Sequence, residues 1–266
     1  MNYSQTITPV YTNDLSSLTD DISIVGAGSF VSDATYGTVY QNIQGNPRTN
    51  YLLLPSDVLQ SAASKKELSV SFMVKAPSGS SNFYYSAMFS AHTSQAAAGT
   101  DWNDSYAFFA METRLIVLQN SYGNSWTNSD YIDMTYDYLQ CTESNYNHGG
   151  PMTDWLTDNA WHNFTFTVSE SATNIYIDGR LYRTFSYDAT ICDQAGADGK
   201  PNHTVKGLFD NITDFTYVTL GGNQTMNYND GDTPFQFAKL KIYNKVLSAD
   251  KVSELASSKY KYKKEE

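Results

Sequence analysis

The chain has 266 residues, enough to bury a substantial core in one all-β sandwich without a second domain. Lys and Arg number 17 against 28 Asp and Glu, giving a net charge of −11, so a phosphate backbone is repelled and nucleic acid is excluded as a partner. No run of about eighteen apolar residues occurs, so no membrane-spanning helix is expected.

The chain opens on Met1–Asn2–Tyr3–Ser4, which lacks the basic and apolar regions of a signal peptide. A starting Met on a polar lead-in reads as a trimmed boundary, so an absent signal and further domains are expected. Pro55–Ala63 carries a helix signal. Leu68, Val70, Phe72 and Val74 then alternate with Ser69, Ser71 and Met73, the pattern of a half-buried strand. Ala87–Ser90, Tyr106–Met111, Leu115–Leu118 and Tyr131–Met134 are further strand candidates. Ser-, Asn-, Gly- and Asp-rich loops at 78–82, 94–103 and 120–129 separate them.

Tyr dominates the aromatics, with 21 Tyr against 13 Phe and 4 Trp. Tyrosine has a polar tip that suits a half-wet surface. Rings and amides on loops are also the chemistry that holds sugars, since rings stack on C–H faces while amides read hydroxyls. Trp102, Tyr122 and Trp126 on the middle loops are therefore candidates for a stacking platform, or they pack on one another. Cys141 and Cys192 lie in polar segments, either bridged or as two thiols. They make no zinc site, which needs four donors.

Phe164, Phe166 and Val168 alternate with Thr165 and Thr167, a pleated strand with one apolar and one polar face. Asp178–Gly179 supplies the positive φ angles of a tight hairpin turn. Leu220–Gly221–Gly222 ends a strand and projects a loop in which Asn223, Asn227 and Tyr228 are candidate ligand contacts. In Asn229–Asp230–Gly231–Asp232, Asp230 and Asp232 offer hard oxygen donors for Ca²⁺, although the segment also reads as a plain turn. The last strand, 237–243, sets Ala238, Leu240 and Ile242 against Lys239, Lys241 and Tyr243. A helix follows, with Ser248 as N-cap, Asp250 in the first turn and Leu247 and Val252 as a hydrophobic staple. Val252, Leu255 and Ala256 form its apolar stripe.

In order, Trp161–His162, Tyr176–Ile177–Asp178–Gly179–Arg180, Leu220–Gly221–Gly222 and Ile242–Tyr243–Asn244–Lys245–Val246–Leu247–Ser248 resemble the concanavalin A-like lectin/glucanase superfamily. The likeness is greatest to the laminin-G-like jelly-roll domains of bacterial surface proteins. It covers about residues 155–256. It extends to Val25–Phe30 and Asn50–Pro55, which look like opening strands of such domains in gut-associated bacteria, where the first hairpin lies beside the last strand. The stretch 76–155 is matched only in strand pattern.

The resemblance implies an antiparallel two-sheet β-sandwich with one short C-terminal helix, one domain over 1–262 and a charged tail at 263–266. It implies a secreted or cell-surface setting, a monomeric domain, and a glycan or glycoprotein as partner. Glucanases of this superfamily use a Glu-x-Asp-x-x-Glu strand that sets both carboxylates on one face. None of Glu67, Glu112, Glu143, Glu170 or Glu254 stands in such a pattern, and Asp133 and Asp137 have Thr135 between them and no Glu. A non-catalytic lectin-like module is therefore expected, ahead of a protein-interaction or adhesin spacer and a glucanase-type hydrolase. Many relatives hold one Ca²⁺ through an Asp in the last strand, but here those places are Ala238 and Lys239. His162 and Trp161 read as structural. Sequons at Asn103, Asn163, Asn202, Asn211 and Asn223 follow from abundant Asn, Ser and Thr, and Asn163 falls within a strand.

Overall fold

A computed structural model describes residues 7–43, 50–76, 87–92, 108–112, 115–119, 129–133, 158–186, 190–191, 200–201, 209, 215–222 and 233–257. The first half holds β1 (Tyr11–Asn13), β2 (Ser23–Val25), β3 (Ser29–Asp33), β4 (Gly37–Gln41), β5 (Tyr51–Leu53), α1 (Gln60–Lys65), β6 (Leu68–Lys75), β7 (Ala87–His92), β8 (Phe108–Glu112), β9 (Leu115–Gln119) and β10 (Ser129–Asp133). The second holds β11 (His162–Val168), β12 (Ala172–Ile177), β13 (Arg180–Ser186), β14 (Thr190–Ile191), β15 (Lys200–Pro201), β16 (Tyr217–Leu220), β17 (Gln236–Tyr243) and α2 (Ala249–Ser257).

Two antiparallel sheets carry the fold. One runs β13-β12-β11-β6-β17-β4-β3, with β1 also on β17; the other runs β10-β9-β8-β7-β16-β5-β2. A separate pair joins β14 to β15. The expected β-sandwich is thus observed, and the β3–β4 hairpin lies beside the last strand through Phe237↔Tyr40 and Gln236↔Gln41. Phe72, Phe164, Phe166 and Phe237 of the first sheet meet Leu52, Phe89, Val218 and Leu220 of the second in one buried cluster. Phe89 and Phe166 face each other with centroids 5.6 Å apart. Burying each such ring stabilises by about 1.5–3 kcal/mol, so this layer is the main driving force.

Three local readings change. β6 is buried on both faces, because its polar side is covered and internally bonded. Ser69 donates to the Lys245 carbonyl at 2.7 Å and accepts the Leu247 N–H at 3.1 Å. Ser71 accepts Asn163 Nδ2 at 3.1 Å and Thr165 Oγ1 at 2.8 Å. Alternation shows which residues share a face, but it does not show whether the polar face is wet. Asn163, only 3% exposed, is closed to glycosylation.

The strict alternation expected in β17 is broken by a bulge between Ala238 and Lys241, where Lys239 has φ +57°. The extra residue turns Ala238 away from Leu240 and Ile242: they enter the core, whereas Ala238 joins Val39, Met73 and Trp161 on the opposite face. Helix α1 starts later than the sequence signal. Val58 donates to the Pro55 carbonyl and Gln60 to that of Asp57, so 55–59 is a run of tight turns.

The C-terminal helix is as expected. Ser248 Oγ caps the Lys251 N–H at 3.3 Å, and Leu247, Val252 and Leu255 pack with Tyr176 and Tyr243. Asp178 and Gly179 form the hairpin turn with φ +50° and +78°. A Cβ on Gly179 would sit 2.9 Å from Ser253 Cα, so the glycine lets α2 close onto the turn.

Candidate functional site

Trp102, Tyr122, Trp126, Asn223, Asn227, Tyr228, Asp230 and Asp232 lie outside the described residues, as do Cys141, Cys192 and Asp137. The segment that carries Asn223, Asn227, Tyr228, Asp230 and Asp232 follows the end of β16. Gly221 has φ +92°, and Asn42 Nδ2 donates to its carbonyl.

Several described carboxylates are bonded to other parts of the chain. Glu67 accepts the Val246 N–H at 2.8 Å, Glu170 pairs with Lys66 at 2.8 Å, and Glu254 pairs with Lys251 at 3.0 Å. Asp33 is the most engaged. Its Oδ1 accepts the N–H groups of Thr35 and Tyr36 at 2.8 and 3.0 Å, closing the β3–β4 turn. Its Oδ2 accepts Lys75 Nζ at 3.0 Å and Trp161 Nε1 at 3.1 Å. Burial alone would raise its pKa, but Lys75, the two turn N–H groups and the indole hold it below the usual carboxylate range. Trp161, 6% exposed, takes Tyr36 edge-on at 4.9 Å and Lys75 over its ring at 5.2 Å.

His162 is structural too. Its Nδ1 lies 2.7 Å from Asp178 Oδ2, and its Nε2 lies 3.1 Å from Asp158. Burial disfavours the charged ring, yet Asp178 and then Asp158 outweigh it and raise the imidazole above its usual 6.5. Asp178 Oδ1 also accepts the Asn163 N–H at 2.9 Å, tying the start of β11 to the hairpin turn.

A different arrangement stands where β1 meets the 55–61 segment. There a cleft of about 430 Å³ opens to solvent. Val10 and Tyr11 form one wall with Asp21; Asp57, Gln60 and Ser61 form the other, with Pro55 and Val58 also lining it. The first wall is fixed by the sheet, since Val10 donates to the Ile242 carbonyl at 2.8 Å and Tyr11 pairs with Ile242. Tyr11 Oη donates to Asp21 Oδ2 at 2.9 Å and accepts Asn13 Nδ2 at 3.2 Å. Asn13 also reaches Thr19 Oγ1 at 3.1 Å and accepts the Leu15 N–H at 2.8 Å. Burial, opposed by Asn13 and reinforced by Asp21, pushes the Tyr11 phenol up to about 12, so it remains a donor. Hydrogen bonds from Thr19 and Tyr11 hold Asp21 below the usual carboxylate range against the effect of burial.

The second wall rests on core anchors. Val58 and Leu59 are buried while Asp57 and Gln60 are exposed, and Asp57, Gln60 and Ser61 line the cleft together. The cleft thus presents carboxylates, an amide and a hydroxyl beside an aromatic ring. Such groups accept and donate hydrogen bonds to a polyhydroxy ligand. Sequence reasoning missed these residues because the two walls are about forty positions apart and neither is a motif.

The last-strand donor position for Ca²⁺ does not fit that ion. Ala238 is buried against Trp161 and Met73, and Lys239 places an ammonium 3.0 Å from Asp14 Oδ1. A cationic side chain stands where a hard oxygen donor is needed.

No family model and no curated protein matches the chain. Among solved structures it is similar to botulinum neurotoxin type C, described as dependent upon interaction with two ganglioside molecules to enter cells, at 13% identity and TM-score 0.49, over 90% of this chain and 46% of that one. It is similar to the binding domain of botulinum neurotoxin DC in complex with rat synaptotagmin II, at 13% identity and TM-score 0.48, over 91% and 47%. The binding domain of Paraclostridial Mosquitocidal Protein 1 matches at 10% identity and TM-score 0.46, over 91% and 48%. The chain spans about half the length of these structures.

Proposed function

We propose that this chain is a non-catalytic, lectin-like module of a secreted or surface-attached bacterial protein, laminin-G-like in kind, that holds a glycan or a glycoprotein. The observation that carries this reading is the cleft between Tyr11 and Gln60, which opens to solvent and is lined by polar side chains from two separate segments. Tyr11 stands on a strand and Gln60 and Ser61 at the start of a helix, which lowers the ordering cost of binding for these three. The non-catalytic part rests on the sequence, where the paired-carboxylate spacing is absent. The loop residues Trp102, Tyr122, Trp126, Asn223, Asn227 and Tyr228 are proposed as a second contact platform.

A glycan array probed with the unmodified protein, with Gln60→Ala and with Trp126→Ala tests this. Glycan hits that weaken at least about fivefold in Gln60→Ala support the cleft. Hits lost only in Trp126→Ala move the site to the loops. An array without hits favours the protein-interaction spacer, and reducing-sugar release from β-glucans would contradict the non-catalytic reading.

A further inference from the structure

We infer that the Tyr11–Gln60 cleft admits uncharged or amine-bearing saccharides and turns away acidic ones, an inference that rests on the binding role proposed above. The argument is the sign of what lines it. Asp21 and Asp57 contribute two carboxylates, while Lys, Arg and His are absent from the described lining. Thr19 and Tyr11 both donate to Asp21 and hold its carboxyl below the usual carboxylate range.

A saccharide hydroxyl donates to such carboxylates in charge-assisted hydrogen bonds, and a sugar amine does so with opposite charge as well. Gln60 and Ser61 supply the complementary amide and hydroxyl. A sialic, uronic or sulfated residue instead brings a third negative charge into the cleft with no cation among the described lining residues to meet it. Tyr11 Oη is already held by Asp21 at 2.9 Å and does not turn to an incoming anion without breaking that bond, so among the described lining side chains the neutral Gln60 amide and Ser61 hydroxyl are left to meet one. The net charge of −11 adds a longer-range repulsion of the same sign, which salt screens over about 8 Å at physiological strength. The local exclusion should therefore persist at moderate salt while the long-range part fades.

The experiment uses matched pairs on one array and in solution titration: N-acetyllactosamine against its sialylated and sulfated forms, and glucosamine oligomers against galacturonate oligomers. Unmodified protein is compared with the Asp21→Asn/Asp57→Asn double variant at 0.05 and 0.15 M salt. The inference expects neutral or amine members to bind at least about tenfold more tightly than their acidic partners, a difference of about 1.4 kcal/mol. It expects that ratio to fall to about threefold or less in the double variant. Equal or tighter binding of the acidic members overturns the inference and leaves the binding role standing. So does a ratio that the double variant does not change. Absence of binding to every member overturns both.

Discussion

Two polar regions of this chain use the same residue types to opposite ends. Around Trp161, the carboxylate of Asp33 accepts four donors and the imidazole of His162 touches two carboxylates, so each group is committed to another part of the fold. In the cleft, Asp57 and Gln60 stand exposed on a turn whose hold on the core comes from Val58 and Leu59. Removing a committed group strands its partners, whereas removing an exposed one strands nothing. Stability and binding should therefore separate between the regions.

The largest effect expected is Asp33→Ala, which leaves the Lys75 ammonium, the indole N–H and two turn N–H groups without their acceptor. A loss of about 3–5 kcal/mol is expected in chemical denaturation. A loss under about 1 kcal/mol would mean that the region is not committed at all. Because the folded Asp33 is more acidic than its usual 3.8, its contribution is present above pH 3.8 and is lost as pH falls below it.

Gly179→Ala comes next. The positive φ and the approach to Ser253 should together cost about 1–2 kcal/mol or more, and Gly221, with its Cβ space facing Phe237, should behave alike. His162→Gln sharpens the comparison through pH. The folded imidazole holds its proton above 6.5, so its contribution is complete below pH 6.5 and fades as pH rises through the folded value. The stability gap between the unmodified protein and the variant should therefore be wide at pH 5.5 and narrow at pH 9. A gap that widens with pH would contradict the clamp.

The sandwich was legible in the sequence because its signals are local. Alternation at 164–168, the Asp178–Gly179 turn and the staple around Ser248 each act within a few residues. The Lys239 bulge was not legible, since Ala238 fits either face and only pairing with β6, β4 and β1 at once decides it. Nor was the wetness of Ser69, Ser71 and Thr165, which depends on partners up to 178 positions away, as in the bond from the Leu247 N–H to Ser69. The expected ligand rings fall outside the described residues, and the cleft was missed because proximity across the fold, rather than residue type, creates it.

The smallest stability effect belongs to the cleft itself. Asp57→Asn and Gln60→Ala should each change stability by no more than about 0.5 kcal/mol, because both side chains are exposed and neither supports the core. A cost above about 1.5 kcal/mol in thermal denaturation would place them with the committed groups.

The most direct measurement is amide chemical-shift mapping on the ¹⁵N-labelled chain during titration with the tightest oligosaccharide from the array. The account predicts concentration-dependent shifts clustered at residues 10–13, 19–22 and 57–61, with the amides of 33–36, 161–163 and 178 unmoved. Shifts that fall on the Trp161 region and spare the cleft would contradict it.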